Sequence, residues 1–182
     1  MTESNLSEER LASEIVFAGR MLRVERDRVR LPNGRESTRE IVRHPGAVAI
    51  VALRGSDVLL VRQYRYALDA ETLEIPAGKL EAAEEPLRCA ERELQEETGY
   101  AGNLVSLGTY YSTPGFTDER MHLFLAKDLC WAPLAADADE FLKVEAVPWD
   151  EAVAKALRAE FHDAKTIMGI LLVQCRGLGP SL

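Results

Sequence analysis

The chain has 182 residues, of which 47% are hydrophobic and 29% are charged, and its formal net charge is −8 at pH 7. This length and composition suit one folded domain with a small appended element. The acidic balance argues against a general nucleic-acid binder, which needs a basic surface to displace counterions. It does not exclude a phosphate-bearing small molecule, because divalent metal ions can bridge an acidic protein to an anion.

The cysteines and the N-terminus predict a cytoplasmic protein. Cys89, Cys130 and Cys175 are widely spaced and form no CxxC pair, so neither a disulfide framework nor a cysteine-based zinc site is expected. The start of the chain, MTESNLSEERLASE, is polar and acidic and lacks the apolar stretch of a signal peptide. No apolar run is long enough to cross a bilayer, so no membrane partner is expected.

The first 43 residues predict a small antiparallel β-sheet ahead of the main domain. About the first dozen residues are expected to be flexible, because they are polar and lie at a chain end. Strand-like runs then follow from Glu14 to Arg43, with Pro32-Asn33-Gly34 as a turn between two of them. We therefore expect an N-terminal β-element over residues 1–43 and a second domain over residues 44–182.

The second domain mixes strands and helices without regular alternation. A continuous apolar run at 47–53 predicts a buried strand, and a helical period follows a short strand and ends at Gly99. Further strands are predicted at 57–65, 72–78, 103–112, 121–129 and 142–149, with helices at 84–97, 150–157 and 163–175. This order favours an α+β sandwich over a doubly wound parallel sheet.

Three glutamates crowd together on the first helix. With Leu87 at zero and 100° per residue, Leu94 lies at about −20° and Ala90 at about −60°, which predicts an apolar stripe. Glu97, Glu93 and Glu96 then follow at about −80°, −120° and 180°, along one edge of that stripe. Partly desolvated carboxylates at such an edge are costly unless they are paired.

Two kinds of partner could balance these carboxylates. Arg88 and Arg92 lie on the same helix and could form surface ion pairs. Alternatively, a hard divalent cation such as Mg²⁺ could bind, because it prefers carboxylate oxygens and water. The helix pattern by itself leaves both readings open.

The spacing around the helix is more specific. Gly78 is followed after five residues by Glu84, and after seven more by Arg92-Glu93-Leu94-Gln95-Glu96-Glu97-Thr98-Gly99-Tyr100. This pattern resembles the Nudix box, the signature of the Nudix hydrolases, at every fixed position. The resemblance implies an α/β/α sandwich that uses Mg²⁺ or Mn²⁺ to hydrolyse a nucleoside diphosphate linked to another group.

The resemblance also implies roles for individual residues. Glu93 and Glu97 would be metal ligands and catalytic, Glu96 would serve a further ion, and the carbonyl of Ala77 would complete a site. Glu84 and Arg92 would pair to orient the helix, and Gly78 and Gly99 would frame it.

Segments outside the box resemble bacterial ADP-ribose pyrophosphatases. These segments are REIVRH at 39–44, VRQYR at 61–65, LEIPAG at 73–78 and TPGFTDE at 113–119, with Pro114 fifteen residues after Gly99. This resemblance implies that the protein hydrolyses ADP-ribose to AMP and ribose 5-phosphate. The same resemblance implies a homodimer that exchanges its N-terminal sheets.

Substrate contacts are implied at several positions of this resemblance. Arg65 would hold a phosphate, for which a guanidinium fork is suited, and Glu74 would face substrate or metal. Phe116 and Tyr110 either stack on the nucleoside or belong to the core. The remaining implied contacts are Arg20, Glu40, Pro114 and Gly115.

The chain departs from the pyrophosphatases that it resembles at the expected general base. In those enzymes the resemblance implies a glutamate in a mobile acidic loop with a pattern resembling DEDEF, whereas residues 137–141 here read Asp-Ala-Asp-Glu-Phe. With Ala138 at the second position, Glu140 is the leading candidate, and Asp139 and Asp137 come next. A reaction without a dedicated base, or a merely solvated loop, remains open.

Two alternatives to ADP-ribose hydrolysis remain. The same core would serve another nucleoside diphosphate sugar such as GDP-mannose, or a dinucleotide. A non-catalytic sensor of ADP-ribose is disfavoured, because every carboxylate of the box is present.

Overall fold

The computed structural model of the protein describes residues 6–135 and 141–180. Its backbone divides into two compact units. The first contains the described residues up to Gly46 together with Tyr111–Arg120, and the second contains Ala47–Tyr110 and the described residues from Met121 onward. The segment at 111–120 therefore joins the N-terminal unit, which the sequence-based boundary at residue 43 did not anticipate.

The first unit is built on a three-stranded antiparallel sheet in the order β1-β2-β3. The strands are β1 (Glu9–Ala18), β2 (Arg23–Arg30) and β3 (Glu36–Arg43). The predicted turn between β2 and β3 is confirmed, with Gly34 at φ 84° and its N–H donating to the carbonyl of Leu31. The prediction that about twelve residues are flexible is wrong from Glu9 onward, because β1 already pairs with β2 at Glu9 and Arg30.

The second unit is built on a seven-stranded sheet. Its strands are β4 (Ala47–Arg54), β5 (Asp57–Arg65), β6 (Ala70–Glu74), β7 (Ala77–Lys79), β8 (Tyr100–Tyr111), β9 (Arg120–Trp131) and β10 (Leu142–Pro148). The order is β10-β5-β4-β9-β8, with β6 on β5 and β7 on β4. Only β4 and β9 are paired in parallel among the registers described.

The single strand predicted at 72–78 is two short strands on different neighbours. Ile75 and Pro76 lie between β6 and β7, and proline has no N–H to give to a ladder. The carbonyl of Pro76 accepts a hydrogen bond from the N–H of Ile50 at 2.8 Å, so the residues between β6 and β7 are still bonded to the central strand β4. The chain thereby crosses from one strand of the sheet to another just before Gly78.

Helices cover both faces of the larger sheet. Val48, Ile50 and Ala52 of β4 pack with α1 (Pro86–Thr98), whereas Ala49, Val51 and Leu53 pack with α2 (Trp149–Leu157) and α3 (Ala164–Cys175). Because successive residues of a strand face opposite sides, a strand that is covered by helices on both faces is apolar at every position. The predicted α+β class, α/β/α sandwich and small N-terminal sheet are confirmed.

None of the helices within the described residues combines the length and apolar character needed to span a membrane.

The buried face of α1 is rotated from the predicted one. Ala90 and Leu94 are fully buried as expected, but Leu87 is 44% exposed. Glu93 and Glu97 are only 6% and 4% exposed, so they lie in the middle of the buried arc rather than along its edge. Leu87 lies in the first turn, whereas the turns that carry Glu93 and Glu97 lie against β7.

We predict that Leu94→Ala lowers the free energy of unfolding by about 2–5 kcal/mol, because it leaves a cavity between α1 and the sheet. Leu87→Ala on the same helix is the matched control and should cost about 0.5 kcal/mol or less, as expected for an exposed position. Urea denaturation of both variants measures the difference. Equal losses would contradict the burial pattern of α1.

Candidate active site

Helix α1 begins at a proline and ends at Gly99 of the predicted signature. Pro86 occupies the first turn, where the missing N–H costs nothing. Gly99 ends the helix in the left-handed region at φ 79°, and its N–H donates to the carbonyl of Gln95 at 3.0 Å. A Cβ at Gly99 would also lie 2.5 Å from the ring of Trp131, so both backbone and space require glycine.

Gly78 makes room for the carboxylate of Glu93. A Cβ at Gly78 would lie 1.9 Å from the carboxyl carbon of Glu93 and 2.0 and 2.3 Å from its oxygens. No side chain can occupy that space while Glu93 keeps its position. Gly78 and Glu93 therefore meet in a close steric fit between β7 and α1.

Glu97 is held against the residue before Gly78. The backbone N–H of Ala77 donates to Oε2 of Glu97 at 2.9 Å. The structure therefore brings together Ala77, Gly78, Glu93 and Glu97, four of the residues predicted for the site. The role of the Ala77 carbonyl as a ligand stays a prediction.

Arg92 and Glu84 form the predicted pair. The Nε and Nη2 atoms of Arg92 each donate to the carboxylate of Glu84 at 3.0 Å, and the N–H of Glu81 adds a third bond at 2.9 Å. The hydrogen bond from Arg92 lowers the pKa of Glu84 to about 2, in spite of partial burial. The same hydrogen bond raises the pKa of Arg92 above its ordinary value. The contact fixes the 79–85 loop to the helix.

Arg92 also reaches two of the predicted metal ligands. Its Nη1 donates to Oε1 of Glu93 at 2.7 Å and to Oε2 of Glu96 at 2.8 Å. The ion-pair alternative is therefore realised at Arg92, whereas Arg88 pairs with the exposed Glu91. One guanidinium thus joins the loop carboxylate to two carboxylates of α1.

The donors around α1 suit a hard divalent cation by their chemistry. Glu93, Glu96 and Glu97 offer only oxygen ligands, and the space that Gly78 leaves is filled by the carboxylate of Glu93. Across residues 6–135 and 141–180, no three His, Cys, Asp or Glu side chains are gathered as a preformed metal cluster. Glu93 and Glu97 are buried and Glu96 is partly exposed; Arg92 contacts Glu93 and Glu96, and the backbone of Ala77 contacts Glu97.

A second cluster of charged side chains lies around Glu74, at the other end of the 74–78 segment. Arg65 donates from Nε and Nη2 to the two oxygens of Glu74 at 2.8 and 2.6 Å, and Thr72 and Lys165 also contact that carboxylate. Burial alone would raise the pKa of Glu74, but its hydrogen bonds and the charge of Lys165 bring it to about 2. Glu74 is 2% exposed and held by four contacts.

Sequence reasoning did not identify Lys165 or Thr72. Lys165 lies in the first turn of α3, more than ninety residues after Glu74 along the chain. Thr72 precedes Glu74 by two residues on the same strand, so it shares a sheet face with it. That alternation was the one available signal, and nothing in the pattern around Lys165 pointed to Glu74.

The other predicted substrate contacts belong to the first unit. Arg20 and Glu40 are exposed, as are Pro114, Gly115 and Phe116. Phe116 accepts a hydrogen bond at its carbonyl from the N–H of Val42 at 2.8 Å, which fixes the turn and leaves its ring 55% exposed. Tyr110, in the second unit, packs on the core and donates to the carbonyl of Leu107, which favours the core reading.

The leading candidate for the general base, Glu140, lies outside the described residues together with Asp137, Ala138 and Asp139.

We predict that Glu84→Gln lowers the free energy of unfolding by about 2–3 kcal/mol at pH 7, because a carboxyl with a folded pKa near 2 favours folding above its unfolded value of about 4.5. That contribution is lost as the pH falls toward the folded pKa. The difference between wild type and variant should therefore shrink between pH 5 and pH 3. Glu91→Gln, in an exposed pair on the same helix, should cost about 0.5 kcal/mol or less at any pH.

Urea denaturation in the presence of EDTA measures both variants without interference from metal ions. A Glu84→Gln difference that stays constant from pH 7 to pH 3 would contradict the depressed pKa.

Two family models match the chain. The NUDIX domain model matches residues 43–168, and the model for the nucleoside diphosphate sugar hydrolase N-terminal domain matches residues 8–42. The second match coincides with the sheet β1-β2-β3, and the first contains every residue of the predicted signature.

Several known proteins are similar over most of their length. The ADP-ribose pyrophosphatase of Bacillus subtilis is 42% identical over 94% of this chain and 95% of its own. The methanol dehydrogenase activator of Bacillus methanolicus is 42% identical over 92% of each chain. The GDP-mannose pyrophosphatase of Cronobacter sakazakii is 32% identical over 76% of this chain and 82% of its own.

The fold has a solved counterpart in the crystal structure of an ADP compounds hydrolase. It superposes with a TM-score of 0.83 at 24% identity and covers 94% of this chain and 97% of that one. Because the NUDIX model spans more than half of the chain and the residues of the signature meet around β7 and α1, the protein belongs to the Nudix hydrolase family.

Proposed function

We propose that the protein hydrolyses the pyrophosphate bond of ADP-ribose to AMP and ribose 5-phosphate. The observation that carries this function is the burial of Glu93 and Glu97 against the backbone of Ala77 and Gly78. Two carboxylates that are buried and closely packed in this way indicate a catalytic centre for an anionic substrate rather than a solvated helix face. The name of the Bacillus subtilis relative supports ADP-ribose as the substrate.

The cofactor proposed is Mg²⁺ or Mn²⁺. Glu93, Glu96 and Glu97 would hold it through their carboxylates, with the carbonyl of Ala77 as a further ligand. When bound, divalent ions supply Lewis-acid stabilisation of the phosphoryl oxygens and lower the pKa of bound water. Arg92 and Glu84 would keep the ligands oriented, as residues around metal ligands commonly do.

In the proposed reaction, the oxygen of a water molecule forms a bond to one phosphorus of the substrate. The bond from that phosphorus to the bridging oxygen breaks, and the bridging oxygen leaves with the other phosphate. The proton lost by the water passes to a general base, for which Glu140 is proposed, with Asp139 and Asp137 next.

Arg65 is proposed to bind a phosphate of the substrate. Its side chain is 40% exposed, and Glu74 fixes it through two hydrogen bonds. Glu74 itself is enclosed by its partners, so its proposed role is to hold Arg65 rather than to contact metal. Further proposed contacts to the nucleoside or ribose are Arg20, Glu40, Pro114, Gly115 and Phe116.

The main alternative keeps the reaction and changes the substrate to GDP-mannose or a dinucleotide. The relative in Cronobacter sakazakii is named for GDP-mannose, and the carboxylates of the site do not discriminate between the two. A regulatory role is the second alternative, and the name of the Bacillus methanolicus relative is compatible with it. The complete set of box carboxylates favours hydrolysis.

A screen of ADP-ribose, GDP-mannose and NADH tests the substrate. Each compound is incubated with the protein and Mg²⁺, and the phosphomonoester products are detected by phosphatase-coupled release of phosphate. We expect the highest kcat/KM on ADP-ribose and no release in EDTA. Equal or higher kcat/KM on GDP-mannose would reject ADP-ribose as the preferred substrate.

The same assay applied to Glu97→Gln tests the catalytic centre. We expect kcat to fall about 100-fold or more, the upper end of effects seen around metal sites. The melting temperature should change by about 4 °C or less, because the amide oxygen can still accept from the N–H of Ala77. Glu91→Gln on the same helix is the control. Unchanged turnover in Glu97→Gln would mean that the carboxylate is not part of the centre.

We further propose that the protein is a cytoplasmic homodimer formed through its N-terminal sheet. All three cysteines are free thiols, and two of them are exposed, which suits a reducing compartment. On β1 and the turn after it, Ile15, Phe17 and Met21 are 57%, 57% and 52% exposed. Apolar side chains grouped in this way are typical of an interface.

Light scattering should give a mass twice that of the 20.2 kDa chain, and Phe17→Asp should shift it toward the monomer, because a charge would be buried in the interface. Tyr66→Asp, at a 90% exposed position outside that sheet, is the control. A wild-type protein that elutes with the mass of one chain at micromolar concentration would contradict the dimer.

A further inference from the structure

The first turn of α3 is tied to the segment that leads into the active site. Asp163 caps the helix by accepting from the N–H of Thr166 at 3.0 Å. The hydroxyl of Thr166 accepts from the N–H of Ile75 at 2.9 Å and donates to the carboxylate of Asp163. Thr166 is fully buried, so this chain of bonds satisfies a backbone donor at the break between β6 and β7.

Lys165 adds a charged contact beside this tie. Its ammonium group contacts the carboxylate of Glu74 and lies 3.0 Å from Oδ1 of Asp163. The exposed fractions of the three side chains are 11% for Lys165, 3% for Glu74 and 18% for Asp163. An ammonium enclosed between two carboxylates is poorly placed to contact a ligand itself.

The partner of Lys165 is the residue that fixes Arg65. Both oxygens of Glu74 accept from the guanidinium of Arg65, and Lys165 shares the same carboxylate. The negative charge of Glu74 is therefore divided between two cations. Arg65 keeps more positive potential toward the surface than it would if it alone neutralised Glu74.

We propose that Lys165 is a positioning residue for phosphate binding: it holds Glu74 so that Arg65 is fixed and is not the only cation that neutralises this carboxylate. This role rests on the proposed function of Arg65. It assigns to α3, on the opposite face of the sheet from α1, a part in recognising the diphosphate. Lys165 does not itself touch the substrate.

The alternative is that Lys165 only stabilises the fold. The two roles differ in what they change. A fold-stabilising lysine alters the melting temperature and leaves the affinity of the folded protein unchanged, whereas a positioning lysine alters the affinity of the folded protein for a phosphate ligand.

Isothermal titration of ADP-ribose in EDTA separates these roles without turnover. Lys165→Met should weaken binding about tenfold, because Glu74 loses a charge-assisted contact and holds Arg65 less firmly. Lys165→Arg should recover at least part of that loss, because it restores the cation. Lys155→Met is the matched control, since Lys155 forms an ion pair with the half-exposed Glu151 on α2, and it should bind like the wild type.

Steady-state kinetics with Mg²⁺ gives a second readout. In Lys165→Met, KM should rise about tenfold while kcat stays within about threefold of the wild type, because the carboxylates on α1 are unchanged. A Kd and KM within about twofold of the wild type would overturn the proposal, as would a kcat that falls while KM and Kd are unchanged. Wild-type protein that neither binds nor hydrolyses ADP-ribose would instead reject the proposed function.

A double variant keeps the test decisive if Lys165→Met does not fold. Glu74→Gln with Lys165→Met removes a buried pair of opposite charges together, which proteins tolerate better than the loss of one partner. Arg65 then loses its carboxylate anchor, and we expect ADP-ribose binding to weaken about tenfold or more. Binding equal to that of the wild type would overturn the proposal.

Discussion

The burial of two carboxylates between α1 and β7 is the constraint on which the site depends. Glu93 and Glu97 lie on the packed side of the helix, where an apolar residue would contribute to stability and an ionised carboxylate costs free energy. Three features offset this cost: the space at Gly78, the N–H of Ala77 and the guanidinium of Arg92. Arg92 is in turn fixed by Glu84, so these residues of the signature each have a defined physical task.

The segment from Glu74 to Gly78 links both faces of the sandwich. Helix α3 contacts its first part, through Lys165 to Glu74 and through Thr166 to Ile75. Helix α1 contacts its last part, through Glu97 to Ala77 and Glu93 to Gly78. The segment can take this path because Pro76 interrupts the strand, and a continuous strand would present alternate residues to a single neighbour. Two helices on opposite faces thus position four of these five consecutive residues.

Local and periodic features of the sequence predicted most of the fold. The apolar runs of β4 and β5, the Pro32–Gly34 turn and the helix end at Gly99 depend on neighbouring residues, and all were predicted close to their observed positions. The rotation of α1 was not predicted, because the helical period shows which residues share a face but not where the facing strand begins. Leu87 was placed in the apolar stripe and Glu97 at its edge, and only the packing against β7 shows that Glu97 lies in the middle of the buried arc.

For the site, as for the fold, the sequence predicted contacts within a motif but not contacts between distant elements. The pairing of Glu84 with Arg92 was implied by the resemblance to the Nudix box, and the structure shows it. The contact of Lys165 with Glu74 joins residues on separate elements, and no spacing rule connects them. Long-range contacts of this kind depend on how the layers pack, which a single sequence does not encode in any local pattern.

The balance of charge around the 74–78 segment bears on the cofactor. The segment carries Glu74, and the carboxylates near it are Glu84, Glu93, Glu96, Glu97 and Asp163. The cations that contact members of this set of six carboxylates are Arg65, Arg92 and Lys165. Carboxylates thus outnumber cations two to one in this set, and a diphosphate substrate would add further negative charge. Additional positive charge strengthens the binding of an anion to such a surface, and divalent ions supply that charge at the smallest volume. The acidic balance that argued against a general nucleic-acid binder is therefore consistent with the proposed divalent cofactor.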